Sequence, residues 1–253
     1  MSRLPNAPRS TMRVLVVIQA RTGSTRLPGK VLADLGGLPV LEWVVRACRA
    51  ARQVDGVVVA TTTEAADDAV ADLAASLGVD VVRGSEDDVL ARYVQVVDEH
   101  PCDAVVRITS DCPFTDPAII DAVVSAWRAD PACDYVSTVL VRTLPHGLDV
   151  ELVTADALRR VAATATEHHR THVTSGIYTD PEHYDLMGLC FAPPSTDLRI
   201  TLDTDDDLRA LRAIVEARGS GVAGRREIIG LLRRRPELAE LNAHIAQKAL
   251  EAG

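Results

Sequence analysis

Val14-Leu15-Val16-Val17-Ile18-Gln19-Ala20-Arg21-Thr22-Gly23-Ser24-Thr25-Arg26-Leu27-Pro28-Gly29-Lys30 decides how this chain is read. Its apolar, β-branched start, Val14–Ala20, reads as a strand buried on both faces. The strand breaks directly into a loop with Gly23 and Gly29, the hydroxyls of Thr22, Ser24 and Thr25, and the cations Arg21, Arg26 and Lys30. Glycine lets backbone approach a ligand closely, and successive N–H groups then form a concave anion site. The combination suits a polyphosphate, in particular a nucleotide triphosphate. Gln19 and Ala20, at the strand end, belong to the same candidate site.

The loop is not a Walker A motif, because Gly29-Lys30 runs into Val31 and offers no hydroxyl beside the lysine. No Gly-x-Gly-x-x-Gly is present, which argues against a dinucleotide site. The plain alternative is a glycine-rich turn with solvated charges. Composition weighs against it, since Lys30 and Lys248 are the only lysines in a chain that writes its other basic positions as arginine. A lysine kept in the loop points to a compact ammonium wanted at a phosphate oxygen.

Outward from this loop, strand-like and helix-like runs alternate. An amphipathic helix is expected over Val40–Ala51, a strand over Val57–Thr61 and a helix over Ala65–Leu77. A strand over Asp80–Arg83, a helix over Asp87–Glu99, a strand over Ala104–Thr109 and a helix over Pro117–Trp127 follow. This βαβα rhythm predicts an α/β fold with a doubly wound, mostly parallel sheet. Ligands of such sheets sit outside the carboxyl ends of the strands. The glycine loop, Thr61–Thr63, Arg83–Ser85 and Ser110–Cys112 share that edge.

From about Asp134 the rhythm changes. Strands over Tyr135–Val139 and Asp149–Leu152 flank a Pro145-His146-Gly147 turn. Helices over 155–163 and 167–178 and a strand over 184–191 follow. Residues 199–202 return to the main sheet, 205–218 form a helix, and 219–224 form a flexible joint before a helical segment broken at Pro236. Residues 1–12 read as a disordered leader.

At 253 residues and 47% apolar content the chain fits one large α/β domain with a subdomain. A net charge of −9 argues against nucleic acid as a partner, so an anionic nucleotide must be held by a local basic patch. Cys48, Cys102, Cys112, Cys133 and Cys190 form no Cys-x-x-Cys pair. They read as reduced thiols of a cytoplasmic protein. No run approaches the roughly 20 apolar residues of a membrane span.

Acidic residues follow two strand ends on the proposed binding edge: Asp111, and the run Asp203-Thr204-Asp205-Asp206-Asp207. Carboxylates there suit a magnesium ion shared with phosphate oxygens, and Asp111, Asp203 and Asp205 are the candidate ligands. Helix capping is the competing role for this run; it fits Thr204 or Asp205 well, whereas Asp203 lies earlier, at the strand end. Arg107, inside an apolar strand, needs a partner in Asp111 or in a phosphate. Thr61 either approaches a base or is a plain β-former. His168 and His172 are spaced i,i+4 but lack the His-Glu-x-x-His order, so chance clustering is favoured over a metal site.

The ordering Gln-Ala-Arg, then Gly-Ser-Thr-Arg-Leu-Pro-Gly-Lys, resembles the signature loop of the sugar-acid cytidylyltransferases, which activate 3-deoxy-octulosonate and acylneuraminates with CTP. Ser110-Asp111-Cys112-Pro113 is similar to the spore-coat polysaccharide group, where the octulosonate enzymes have Gly-Asp-Glu-Pro. Arg83-Gly84-Ser85-Glu86-Asp87-Asp88-Val89-Leu90-Ala91-Arg92 and Gly147-Leu148-Asp149-Val150-Glu151 also resemble family elements. The resemblance spans about 12–218. It implies a Rossmann-like sheet of the nucleotide-diphospho-sugar transferase type over 13–218, with a smaller α+β subdomain at about 134–192 that covers the acceptor and makes a homodimer contact.

The implied activity is Mg2+-dependent transfer of CMP from CTP to a small polar acceptor. Arg21, Lys30, Asp111 and Asp203 are the implied catalytic residues, with Asp111 and Asp203 holding the metal. Gln19, Ala20, Arg21, Thr22, Gly23, Ser24, Arg26, Lys30, Thr61, Arg83, Ser85 and Arg107 are candidates for the nucleotide, with Arg83 and the backbone near Ser85 at the base and Arg92 close by. His146, Gly147, Asp149, Glu151 and His172 are candidates for the acceptor, Asp149 and Glu151 pointing the same way on a strand to bind hydroxyls or to pair with arginines across a dimer. Another nucleotide, a phosphate or phosphonate acceptor, or a glycosyltransferase are the rival readings.

Overall fold

The protein is described from a computed structural model over residues 12–166 and 168–246. Nine strands and ten α-helices follow one another in these residues, with short 3-10 turns at Lys30–Leu32 and Ala65–Asp67. The strands are β1 Val14–Gln19, β2 Asp34–Leu35, β3 Leu38–Pro39, β4 Gly56–Thr62, β5 Asp80–Gly84, β6 Ala104–Thr109, β7 Tyr135–Ser137, β8 Glu151–Thr154 and β9 Leu186–Gly188. The helices are α1 Val40–Ala50, α2 Asp68–Ser76, α3 Val89–Glu99, α4 Pro117–Ala129, α5 Ala155–Thr164, α6 His168–Thr171, α7 Ser175–Tyr178, α8 Asp205–Arg218, α9 Arg225–Arg234 and α10 Pro236–Glu240. Seven strands make one sheet in the order β5-β4-β1-β6-β8-β7-β9, and β2 and β3 form a separate small hairpin.

β1 lies between β4 and β6, parallel to both. Its period-2 geometry divides the apolar run between two cores. Val14, Val16 and Ile18 enter the core that includes residues of α1, α4 and α8, and Leu15 and Val17 enter the one that includes residues of α3 and α5. A strand covered on both sides has no solvated face, which is why it shows no polar alternation. Within the sheet only β8 runs against its neighbours, pairing antiparallel with β6 and with β7. The mostly parallel α/β reading therefore holds, with one reversed strand in the half that follows β6.

Helix starts follow local chemistry. Asp88 caps α3 by accepting from Ala91 N, while Glu86 turns to Arg21 instead. Asp116 caps α4, with Pro117 at its first position. Thr204 and Asp207 form a reciprocal capping box at α8. Pro236 does break the C-terminal helical segment, and Ile228, Leu232 and Leu238 of α9 and α10 are buried in the same core as β1.

Three expectations fail. The helix expected over 167–178 is two short ones, parted where Val173 sits at φ 50, a conformation costly for a β-branched residue; Glu167 lies outside the described residues. Residues 199–202 form no strand of the sheet. They run beside the site, with one isolated bridge between His146 and Arg199 and a bond from Leu202 N to Asp111 O. Asp149 precedes β8 rather than lying in it, so it shares no strand face with Glu151. Residues 1–11 and 247–253, which include most of the expected leader, also lie outside the description.

Candidate active site

The glycine loop leaves β1 with Ala20 N still bonded to Ala60 O of the neighbouring strand. Thr22 then anchors it: its N–H and its hydroxyl both donate to Asp67 Oδ1, at 2.6 and 2.7 Å. The other Asp67 oxygen accepts from the Thr62 hydroxyl. Burial alone would raise the Asp67 pKa, but the Thr62 and Thr22 hydrogen bonds bring it below its ordinary value. Thr22 O accepts from Ser24 N and Gly29 N, folding the loop onto itself. Gly29 sits at φ 71, where a side chain would be strained. That turn sends the next residue, Lys30, inward.

Lys30 Nζ donates to Asp111 Oδ2 at 2.7 Å, to Asp203 Oδ1 at 2.8 Å and to Leu202 O at 2.8 Å. The loop after β1, the turn after β6 and the segment before α8 meet at this one nitrogen. Burial lowers the ammonium's pKa, yet the two aspartates outweigh it and the net shift is upward. Asp203 also takes Arg26 on Oδ1 at 3.1 Å and Arg199 on Oδ2 at 2.7 Å. Burial opposes its charge, but Lys30, Arg199 and Arg26 hold its carboxyl below the usual range. Arg199 reaches on to Asp207, whose oxygens also accept from Asn242 Nδ2 and from the backbone N–H of Asp203 and Thr204.

Asp205 is exposed at the start of α8 and is absent from this network, so the expectation of a third acid there is not met. Helix periodicity explains the exchange, because Asp207 rather than Asp205 turns into the buried capping box. Two converging carboxylates, Asp111 in the turn after β6 and Asp203 just before α8, match magnesium, which takes few protein ligands and completes its shell with water and phosphate oxygens. Among the described residues no group of three or more His, Cys, Asp or Glu is placed to hold a metal, and the three histidines of 168–172 are no exception.

Beside this centre opens a cleft of about 850 Å³, lined by Arg26, Asp111 and Asp203 on one side and by Arg142, His146, Gly147, Asp149 and His172 on the other. All five acceptor candidates border it, Glu151 among them. The two carboxylates are nonetheless committed within the chain. Arg142 grips Asp149 with two bonds of 2.6 and 2.9 Å. Glu151 is paired with Arg107, which is its register partner across β6 and β8. It also accepts from Tyr135 Oη at 2.5 Å and Thr174 Oγ1 at 2.6 Å. Arg107 thus finds Glu151 rather than Asp111, and both acceptor carboxylates are taken by arginines of the same chain. Burial raises the Glu151 pKa, but Arg107, Thr174 and Tyr135 more than reverse the effect. Burial and the nearby Arg142 push the His146 pKa down, favouring the neutral imidazole.

The residues expected at the base stand apart from this cleft. Arg83 donates to Thr62 O and Glu64 O and pairs with Asp68. Ser85 Oγ accepts from Asp88 N at the start of α3, and Thr61 is fully buried. Arg92 is 1% exposed, and none of its three side-chain nitrogens has a hydrogen-bond partner among the described residues. Arg21 lies toward Glu86 at 3.4 Å, beside the Gly23 backbone. Gln19 meets Arg107 through Oε1 at 3.4 Å, linking the loop to the cleft.

Asp67, Arg142, Tyr135, Thr174 and Asn242 were not legible as site residues. Asp207 was, in principle, because it stands three residues after Thr204, the capping-box spacing. The others depend on long-range packing.

The profile of the cytidylyltransferase family matches residues 15–208. The spore coat polysaccharide biosynthesis protein SpsF of Bacillus subtilis is 33% identical over 236 residues, covering 89% of this chain and 96% of that protein. A solved cytidylyltransferase from Leptospira borgpetersenii superposes with a TM-score of 0.88 at 27% identity, covering 94% of this chain and all of that one. A CMP:2-keto-3-deoxy-manno-octonic acid synthetase solved in complex with CTP shares the fold at a TM-score of 0.65 and 18% identity, covering 81% of this chain and 99% of that one. The glycine loop, the two aspartates that converge on its Lys30 and these likenesses lead to one statement: the chain belongs to the cytidylyltransferase family.

Proposed function

We propose that this nucleotidyltransferase moves CMP from CTP to a sugar acid or related polar acceptor, releasing pyrophosphate. The observation that carries the reading is the convergence of Lys30, Asp111 and Asp203 between the glycine loop and the open cleft. Nucleotidyl transfer asks the protein for alignment and for neutralisation of charge on the phosphates. The amides of 22–24 with Arg21, Arg26 and Lys30 would grip the triphosphate, and Arg83 and Ser85, beyond the cleft at the end of β5, would approach the base. His146, Gly147 and His172 would face the acceptor, while Arg142 and Arg107 hold Asp149 and Glu151 in fixed orientations.

Asp111 and Asp203 would hold Mg2+, which when bound neutralises phosphate charge and orients the reacting phosphoryl group. A homodimer built on the 134–192 region belongs to the same reading. The test is pyrophosphate release from each of CTP, UTP, GTP and ATP with Mg2+ and a panel of 2-keto sugar acids. Release with CTP and one acid is expected, and Asp111→Asn should abolish it. Turnover with another nucleotide alone would sink the proposal, as would hydrolysis of a nucleotide sugar without any release from CTP.

A further inference from the structure

Two carboxylates facing one another in a half-buried cleft repel, and each pays to lose water, unless a cation lies between them. In this chain that cation is Lys30. Its nitrogen lies 2.7 Å from Asp111 Oδ2 and 2.8 Å from Asp203 Oδ1, and its third proton goes to Leu202 O. The ammonium is thus fully bonded where it stands. Around it, Lys30, Arg26 and Arg199 face Asp111, Asp203 and Asp207 in equal number, so the free centre is neutral as it is.

A divalent ion would need the same two oxygens at about 2.1 Å, within the volume that the ammonium fills. It would also bring two positive charges to a centre already balanced. Lys30 directly follows Gly29, the last residue of the glycine loop, whose N–H bonds back to Thr22 O. The oxyanions of a bound triphosphate would therefore offer Lys30 and Arg26 a competing partner close at hand.

We infer that Lys30 is the resident counter-ion of the metal site, so that divalent metal is held only after a nucleotide has drawn the ammonium off the two aspartates. The inference rests on the metal reading above and adds an order of events to it. Nucleotide and metal each raise the affinity for the other, because both oppose the same Lys30 contact, and the coupling is reciprocal. The free protein is kept from holding a metal ion without its substrate.

The test is calorimetric titration of Mn2+, a spectroscopically convenient substitute for Mg2+, into the nucleotide-free full chain at pH 7. Wild type is expected to bind weakly. Lys30→Met, which frees both carboxylates, should bind at least tenfold more tightly, and Asp111→Asn added to it should remove the gain. Lys30→Gln keeps a donor for Leu202 O but drops the charge; it should show the same gain, and it serves where Lys30→Met does not fold. Wild type binding Mn2+ as tightly as Lys30→Gln, with Asp111→Asn abolishing both, would overturn the inference and leave the metal reading intact. Absence of any Asp111-dependent Mn2+ binding in all variants, together with unchanged pyrophosphate release by Asp111→Asn, would overturn both.

Discussion

Replacing Asp207 by asparagine tests the support beneath the site without touching the cleft. Asp207 is fully buried. Its Oδ1 accepts from Arg199 Nε at 2.9 Å and Asn242 Nδ2 at 2.8 Å. Its Oδ2 accepts from Arg199 Nη2, from the backbone N–H of Asp203 and Thr204, and from the Thr204 hydroxyl. An asparagine amide has the same shape but carries N–H groups in place of one oxygen. Whichever way it turns, at least two donors then face a donor. A buried donor left without a partner costs roughly 1–3 kcal/mol, and breaking a buried ion pair costs about 3–5 kcal/mol. These terms overlap, and Arg199 keeps Asp203, so the expected loss is about 3–5 kcal/mol in all. Urea unfolding at pH 7, followed by the fluorescence of Trp43 and Trp127 and by circular dichroism, measures it. Asn242→Ala, which removes the amide's bonds to Asp207 Oδ1 and Arg199 O but leaves the ion pair intact, should lose less, roughly 1–3 kcal/mol. Since the Asp203 N–H hangs on Asp207, kcat should fall in Asp207→Asn even where the protein remains folded. A loss below about 1 kcal/mol with unchanged turnover would refute the reasoning.

Gly147→Ala should destabilise the chain by more than the roughly 1–3 kcal/mol of backbone strain alone. The residue sits at φ 106, and an added Cβ would lie 2.7 Å from the Ile200 carbonyl carbon. An unchanged thermal midpoint would contradict this. Arg142→Ala frees Asp149 and should raise KM for the acceptor several-fold while leaving KM for CTP alone, which steady-state kinetics with each substrate varied will show. Acid should weaken the fold in a defined window. Asp203, Asp207 and Glu151 have pKa values depressed by folding, so their stabilisation is present above the unfolded values near 4 and is lost as pH falls through the lower folded ones. Urea midpoints from pH 6 downward should drop below about pH 4, and less steeply in Asp207→Asn, which has one such group fewer.

Much of the fold was readable because its signals are local. A β-branched run with no polar alternation marks β1 as a strand buried on both faces, and Asp116-Pro117 marks where α4 begins. The glycine loop and Asp111 were likewise found from type and position at strand ends. The failures have two causes, partners distant in sequence and local backbone turns that composition does not mark. Arg107 and Glu151 are far apart in the chain and meet only because β8 pairs antiparallel with β6. Asp205 and Asp207 belong to one acidic run, and only the turn of α8 buries Asp207 and leaves Asp205 in water. The break at Val173 has no signal in composition or spacing, since valine rarely adopts that backbone shape.

The pairing of β6 with β8 has a mechanical consequence. Arg107 and Glu151 face each other in adjacent strands, so the strand that carries the glycine loop and the strand that carries Glu151 are joined through β6 by a continuous hydrogen-bonded ladder. Such a seam does not bend like a hinge, because bending would tear ladder bonds and a buried ion pair together. Along this seam the strands cannot part as separate jaws, so any adjustment of the cleft falls to side chains and to loops such as 21–29 and 142–149.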